Sequence, residues 1–142
     1  MRAEAQRVAR CVTTLTDFDP HQLLAKSRLG VLATLKADGR PQLSPVTPYY
    51  DGEAGVLYVS MTEGRAKTTN LRRDPRAALE VTSGDGWSWA TAEGTVTLTG
   101  PGTDPDGPEV QALVDYYRAA MVADRRVLMA MRVERVYGAK IR

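Results

Sequence analysis

The stretch VLYVSMTEGRAKTTNLRRDPRAALEV, residues 56–81, reads as strand, turn, short helix and strand. Val56, Leu57, Tyr58 and Val59 are strand formers, and Gly64 breaks the run. Residues 66–73 suit a helix, which Asp74-Pro75 ends before a second strand over 77–81. The turn gathers positive charge at the helix start. Arg65 and Lys67 stand where the first helical turn leaves unpaired backbone N–H groups and a partial positive dipole, a combination that favours an anion and above all phosphate. Arg65, Lys67, Arg72, Arg73 and Arg76 equally fit the solvated face of a surface helix, so this stretch alone leaves both readings open. Neither GxxxxGK[ST] nor GxGxxG is present, which excludes a Walker loop and a Rossmann fingerprint.

Upstream, Asp19-Pro20 caps a short helix over 20–27 that plugs one end of the fold with Leu23 and Leu24. Residues 29–35 follow as a strand with apolar side chains on both faces, expected to be buried, and Asp38-Gly39 turns the chain back. The return segment, 40–50, carries Pro41, Pro45 and Pro48. Each lacks an N–H, so the strand belongs at an edge or is bulged, with free backbone groups beside Gln42, Ser44 and Val46 on one face. A turn over 51–55 leads into the central strand, which ends at Ser60-Met61-Thr62.

Downstream, Gly84-Asp85-Gly86 turns into a strand over 87–98, where Trp87 and Trp89 share a face and Gly94 marks a bulge or a close backbone approach. The tryptophans suit either core and interface packing or cofactor contact. A loop over 100–108 precedes an amphipathic helix from Pro108 with Val110, Leu113, Val114, Tyr117 and Met121 at helical spacing. A last strand occupies 126–137. About six strands and about three helices, linked by hairpins, predict an α+β fold: a small antiparallel β-barrel with short helices at its ends.

The 142 residues suffice for one domain with its own core, placed at 20–142 behind a flexible extension, 1–19. A net charge of +2 confines the basic character to the one turn, which argues against nucleic acid and membrane surfaces as partners. Cys11 is the only cysteine, which excludes an intramolecular disulfide. With no apolar run of membrane-spanning length and no secretory h-region, the cytoplasm is the expected compartment.

Chemistry is bounded by elimination. His21 is the sole histidine and lies on the first short helix, away from Cys11 and from any obvious serine elbow, so a Ser-His-Asp or Cys-His hydrolase is not expected. HExxH and CxxC spacings are missing, and no metal site is expected. An enzyme built this way draws its chemistry from an organic cofactor, which the protein binds, orients and shields from water.

Four blocks carry a family likeness: LGVLATLKADGRPQLSPV, VSMTEGRAKTTNLRRDPRAAL, GWSWATAEGTVTL, and AMVADRRVL with VERVYG. Together they resemble the pyridoxamine 5'-phosphate oxidase-like split β-barrel family, and more narrowly its actinobacterial F420-dependent oxidoreductases. The resemblance implies a split barrel working as a homodimer, with coenzyme F420 between subunits and hydride transfer to a conjugated small molecule. It implies that Arg65 and Lys67 hold the cofactor phosphate with Ser60 and Met61 alongside. Gln42, Ser44, Pro45 and Val46 would line the ring, and Trp87 would reach in from the partner. No catalytic side chain is assigned. FMN is the alternative cofactor, and a non-catalytic deazaflavin-binding protein the alternative role. Two departures from the branch stand out: Pro45 replaces a hydrogen-bonding residue such as Asn, and the segment between Arg118 and Met121 is shortened, which implies a more open pocket.

Overall fold

The computed structural model describes residues 18–111 and 122–142. The chain up to Thr16, Cys11 included, and the shortened segment after Arg118 lie outside the described residues, as does most of the helix expected from Pro108. The elements in order are α1 (Pro20–Lys26), β1 (Gly30–Leu35), β2 (Pro41–Val46), β3 (Pro48–Asp51), β4 (Val56–Thr62), α2 (Ala66–Arg73), β5 (Arg76–Thr82), β6 (Ser88–Thr99), α3 (Pro108–Gln111) and β7 (Arg126–Lys140). Phe18 is already buried, and the Asp19 carboxylate accepts the His21 backbone N–H at 2.9 Å. The described fold thus takes in two residues of the segment read as an extension.

All seven strands join one antiparallel sheet in the order β2-β1-β5-β6-β7-β4-β3. Its two edge strands are consecutive in sequence. Only Thr47 separates Val46 at the end of β2 from Pro48 at the start of β3, and a single residue holds its neighbours within about 7 Å. The sheet therefore has to curl until its edges meet at Thr47, and it forms the split barrel expected from the sequence. The predicted single strand over 40–50 becomes two, raising the strand count to seven, because the chain changes partners from β1 to β4 at this residue.

Inward-facing Leu32, Leu57, Val59, Met61, Leu79, Val81, Ala90, Ala92, Met129, Met131 and Val136 fill the interior. Leu23 and Leu24 of α1 join this core, as the sequence predicts for an end plug. β1 differs from its expectation. Gly30, Leu32 and Thr34 point inward, Val31, Ala33 and Leu35 are half-exposed, and Leu29 lies outside the strand, exposed. The sheet's outer face receives no covering layer among the described residues, so apolar character on both sides does not bury both sides. At Glu93/Gly94 the pairing of β6 with β7 shifts register, and Glu134 is the extra residue. The bulge keeps inward faces inward along β7: Met131 before it and Val136 after it are both buried.

Candidate functional site

The basic turn sits where β4 ends and α2 begins. Gly64 takes a φ of 82°, which L-residues with side chains rarely adopt, and the Thr68 hydroxyl donates to the Thr62 carbonyl at 2.8 Å, tying the helix to the strand end. Arg65 is the N-cap of α2 and supplies no side-chain acceptor, so the first-turn N–H groups have no cap.

The cations of the stretch then divide. Arg72 donates to Glu63 in a close two-point ion pair and to the Gly100 carbonyl at 3.2 Å. Arg73 reaches the Leu35 carbonyl at 2.7 Å, and Arg76 pairs with Asp74 at 2.8 Å. Arg72 and Arg73 thus tie α2 to neighbouring segments, and Arg76 is held locally. Among the described residues neither the Arg65 nor the Lys67 side chain has an anionic or hydrogen-bonding partner. The carboxylates that could have served are taken: hydrogen bonds from Arg72 hold Glu63 below its usual range, and Arg76 brings Asp74 down to about 2. Burial pushes the half-buried Lys67 ammonium below the ordinary lysine value, and the like charges of Arg65 and Arg126 push it further. Two cations, one of them partly desolvated, stand unpaired at a helix start. That arrangement fits a phosphate.

The second wall is the β2 edge. Lys36 N–H donates to the Arg40 carbonyl at 2.9 Å, so by ladder alternation residues 42, 44 and 46 form the hydrogen-bonded pairs with β1. Pro41, Leu43 and Pro45 then turn their backbones outward, where a missing N–H costs no ladder bond. Their carbonyls and the Leu43 N–H are open to a ligand. Asn70, buried on α2, joins the two walls by donating to Gln42 Oε1 at 2.9 Å and Thr34 Oγ1 at 3.1 Å. Replacing Asn70 with alanine leaves the buried Thr34 hydroxyl and Gln42 without this donor, and is expected to cost about 1–3 kcal/mol in urea unfolding.

Of the residues assigned from the sequence, Gln42, Ser44 and Pro45 do lie along the edge strand, and Arg65 and Lys67 share the turn. Gln42 is held by Asn70. Val46 and Met61 are buried with their side chains in the core and their backbones in the ladders to β1 and β7, whereas Ser60 is exposed just before the turn. Trp87 lies apart. It precedes Ser88, which pairs with Lys140 at one end of β7, while Arg126 begins the other end beside Thr62. Within one chain Trp87 cannot reach Arg65, and here Arg142 stacks over its ring at 4.7 Å. Asn70, Thr34 and Arg126 were not legible as site residues. Asn70 and Thr34 look like ordinary polar residues of a helix and a strand, and Arg126 reaches the turn only through the β4–β7 register.

No side-chain constellation for acid–base or metal chemistry appears among the described residues: no group of ligand-type residues could hold a metal, and His21 Nδ1 is hydrogen-bonded to the Tyr50 hydroxyl at 2.9 Å. No described helix is long and apolar enough to cross a membrane.

Comparison with known proteins gives the chain a family. The chain is 30% identical over 128 residues to an F420H(2)-dependent biliverdin reductase of Mycobacterium tuberculosis, a match covering 89% of this chain and 90% of that protein. A solved F420 reductase superposes with a TM-score of 0.64 at 29% identity, over 82% of this chain and 94% of that one. A Clostridium acetobutylicum protein related to general stress protein 26 shares the fold, with a TM-score of 0.66 at 14% identity over 87% and 91% of the two chains. The profile of the pyridoxamine 5'-phosphate oxidase family matches residues 21–140, nearly the whole described barrel. The chain belongs to the pyridoxamine 5'-phosphate oxidase family.

Proposed function

We propose that this protein is an F420-dependent oxidoreductase that passes a hydride from reduced deazaflavin to a conjugated small molecule, as a homodimer in the cytoplasm. The observation that carries the reading is the pairing of two unpartnered cations, Arg65 and Lys67, with an open strand edge, the two held together by Asn70. The likeness to a mycobacterial F420H(2)-dependent reductase supports the choice of cofactor. Bound F420 supplies the hydride. The chain's own residues bind and orient: Arg65, Lys67 and the α2 N–H groups take the phosphate, and the outward backbone at Leu43 and Pro45 lies alongside the ring, with Ser60 nearby. An outward row of Pro41, Leu43, Pro45 and Tyr49, with Leu43 67% and Tyr49 68% exposed, favours a second copy as the covering partner. That copy is also the source from which Trp87 would approach the ring.

The test is to mix the protein with reduced F420 and a panel of biliverdin, quinones and enones, following the return of oxidised-deazaflavin absorbance. Turnover of at least one acceptor is expected. Tight binding with no turnover on any of them would favour a deazaflavin carrier. FMN remains the second reading because the family is defined by a flavin-type oxidase.

A pH dependence follows from Lys67. Its free-state pKa is lowered, and a bound phosphate raises it again. Binding therefore takes up a proton between those two values. Affinity should be full below the free-state pKa and fall as pH rises through it, which titrations across the alkaline range would reveal; a flat profile would contradict the role of Lys67.

A further inference from the structure

We infer that Arg126, the first residue of β7, is a third anion-binding residue of this site and holds the phosphate together with Arg65 and Lys67. The inference rests on the proposed function for the identity of the ligand, and on strand register for the position of the side chain.

Thr62 and Arg126 are direct partners across β4 and β7. Glu63 N–H donates to the Arg125 carbonyl at 2.9 Å, so the Glu63 and Arg125 row is a hydrogen-bonded one and the Thr62 and Arg126 row is not. Rows of the second kind bring side chains closest together, on one face of the sheet. The face is fixed by the neighbours. Met61 and Val127, one residue along on each strand, are buried in the core, so Thr62 and Arg126 emerge on the other side with Ser60. Arg126 therefore leaves the sheet beside the last strand residue before the basic turn.

The charges around it point the same way. Lys67 feels Arg126 as well as Arg65, so both guanidinium groups lie within electrostatic range of its ammonium. Glu63, the carboxylate in the turn, is occupied by Arg72 and also senses Arg125. Asp124 contacts Arg126 at 3.9 Å, beyond hydrogen-bonding distance, with both side chains part exposed, a geometry that contributes little. Among the described residues Arg126 is thus free to turn to a ligand. Three like charges repel, and an anion between them removes that repulsion while gaining a planar, two-pronged donor that lysine lacks.

The experiment compares wild type, Arg126→Ala and Arg126→Lys. F420 affinity is followed across the alkaline pH range, with inorganic phosphate as a competing ligand. Arg126→Ala is expected to weaken both F420 and inorganic phosphate about tenfold, with Arg126→Lys recovering part of the loss. It should also move the alkaline fall in affinity to higher pH, because Lys67 loses a like-charged neighbour while Arg65, Arg72, Arg125, Glu63 and Asp124 stay. Unchanged affinity in Arg126→Ala would overturn the inference. So would a weakened affinity with an unmoved pH profile, the mark of a purely structural role, and should Arg126→Ala not fold, wild-type phosphate affinity and pH profile in Arg126→Lys would overturn it too. If wild type binds neither F420 nor FMN, the proposed function fails, and the inorganic phosphate arm still decides the role of Arg126.

Discussion

Replacing Lys67 with alanine is expected to weaken F420 binding about ten- to a hundredfold while leaving the fold intact. A charge-assisted hydrogen bond is worth roughly 1.5–3 kcal/mol, and each 1.4 kcal/mol is about a factor of ten. Lys67 belongs at the upper part of that range because it is half-buried, where the attraction to phosphate is screened less than at an exposed position. Arg65 is exposed and should cost less on its own. The double variant Arg65→Ala/Lys67→Ala removes both unpaired cations, and its loss should exceed either single loss. Stability should hardly change, since neither side chain has a partner among the described residues and removing Lys67 also relieves repulsion with Arg126. Fluorescence titration together with a thermal melt separates the two effects. Wild-type affinity in the Lys67 variant would place the phosphate elsewhere.

Gly94→Ala is expected to destabilise the fold severely. A Cβ at Gly94 would stand 2.0 Å from the Arg132 carbonyl oxygen and 2.9 Å from its carbon. Overpacking usually costs about 1–3 kcal/mol because side chains give way. Here the obstacle is backbone in the pairing of β6 with β7, at the bulge that keeps Val136 in the core, so relief requires the two longest strands to separate. The cost should exceed about 3 kcal/mol, a large part of the roughly 5–15 kcal/mol that holds a domain folded. Gly39→Ala is the control. Gly39 has open space around its Cβ position and only a φ of 87° to oppose substitution, for about 1–2 kcal/mol. Urea unfolding of the two variants should rank them clearly, and equal stabilities would contradict the close approach at Gly94.

The legible parts of this protein were those written in local chemistry. Asp38-Gly39 announced a hairpin, Gly94 a bulge, and the prolines at 41 and 45 an edge, because each residue type limits its own backbone. The basic turn was legible as a candidate, but its division was not. That Arg72, Arg73 and Arg76 are occupied while Arg65 and Lys67 are free depends on Glu63, Asp74 and the Leu35 carbonyl, partners set by the tertiary path. Long-range register hid the rest. Asn70 meets Thr34 across 36 residues, and Arg126 meets Thr62 through β7, so no window of sequence could pair them. Alternation also separated neighbours that a motif groups together: Ser60 faces out and Met61 faces in.

The account is tested most directly by titrating the purified protein with F420 and, in parallel, with FMN, following cofactor fluorescence. Saturable F420 binding at micromolar or tighter concentration, with FMN weaker and both reduced in Lys67→Ala, is the predicted result. Tighter binding of FMN would contradict the assignment to F420, and binding of neither would contradict the cofactor site itself.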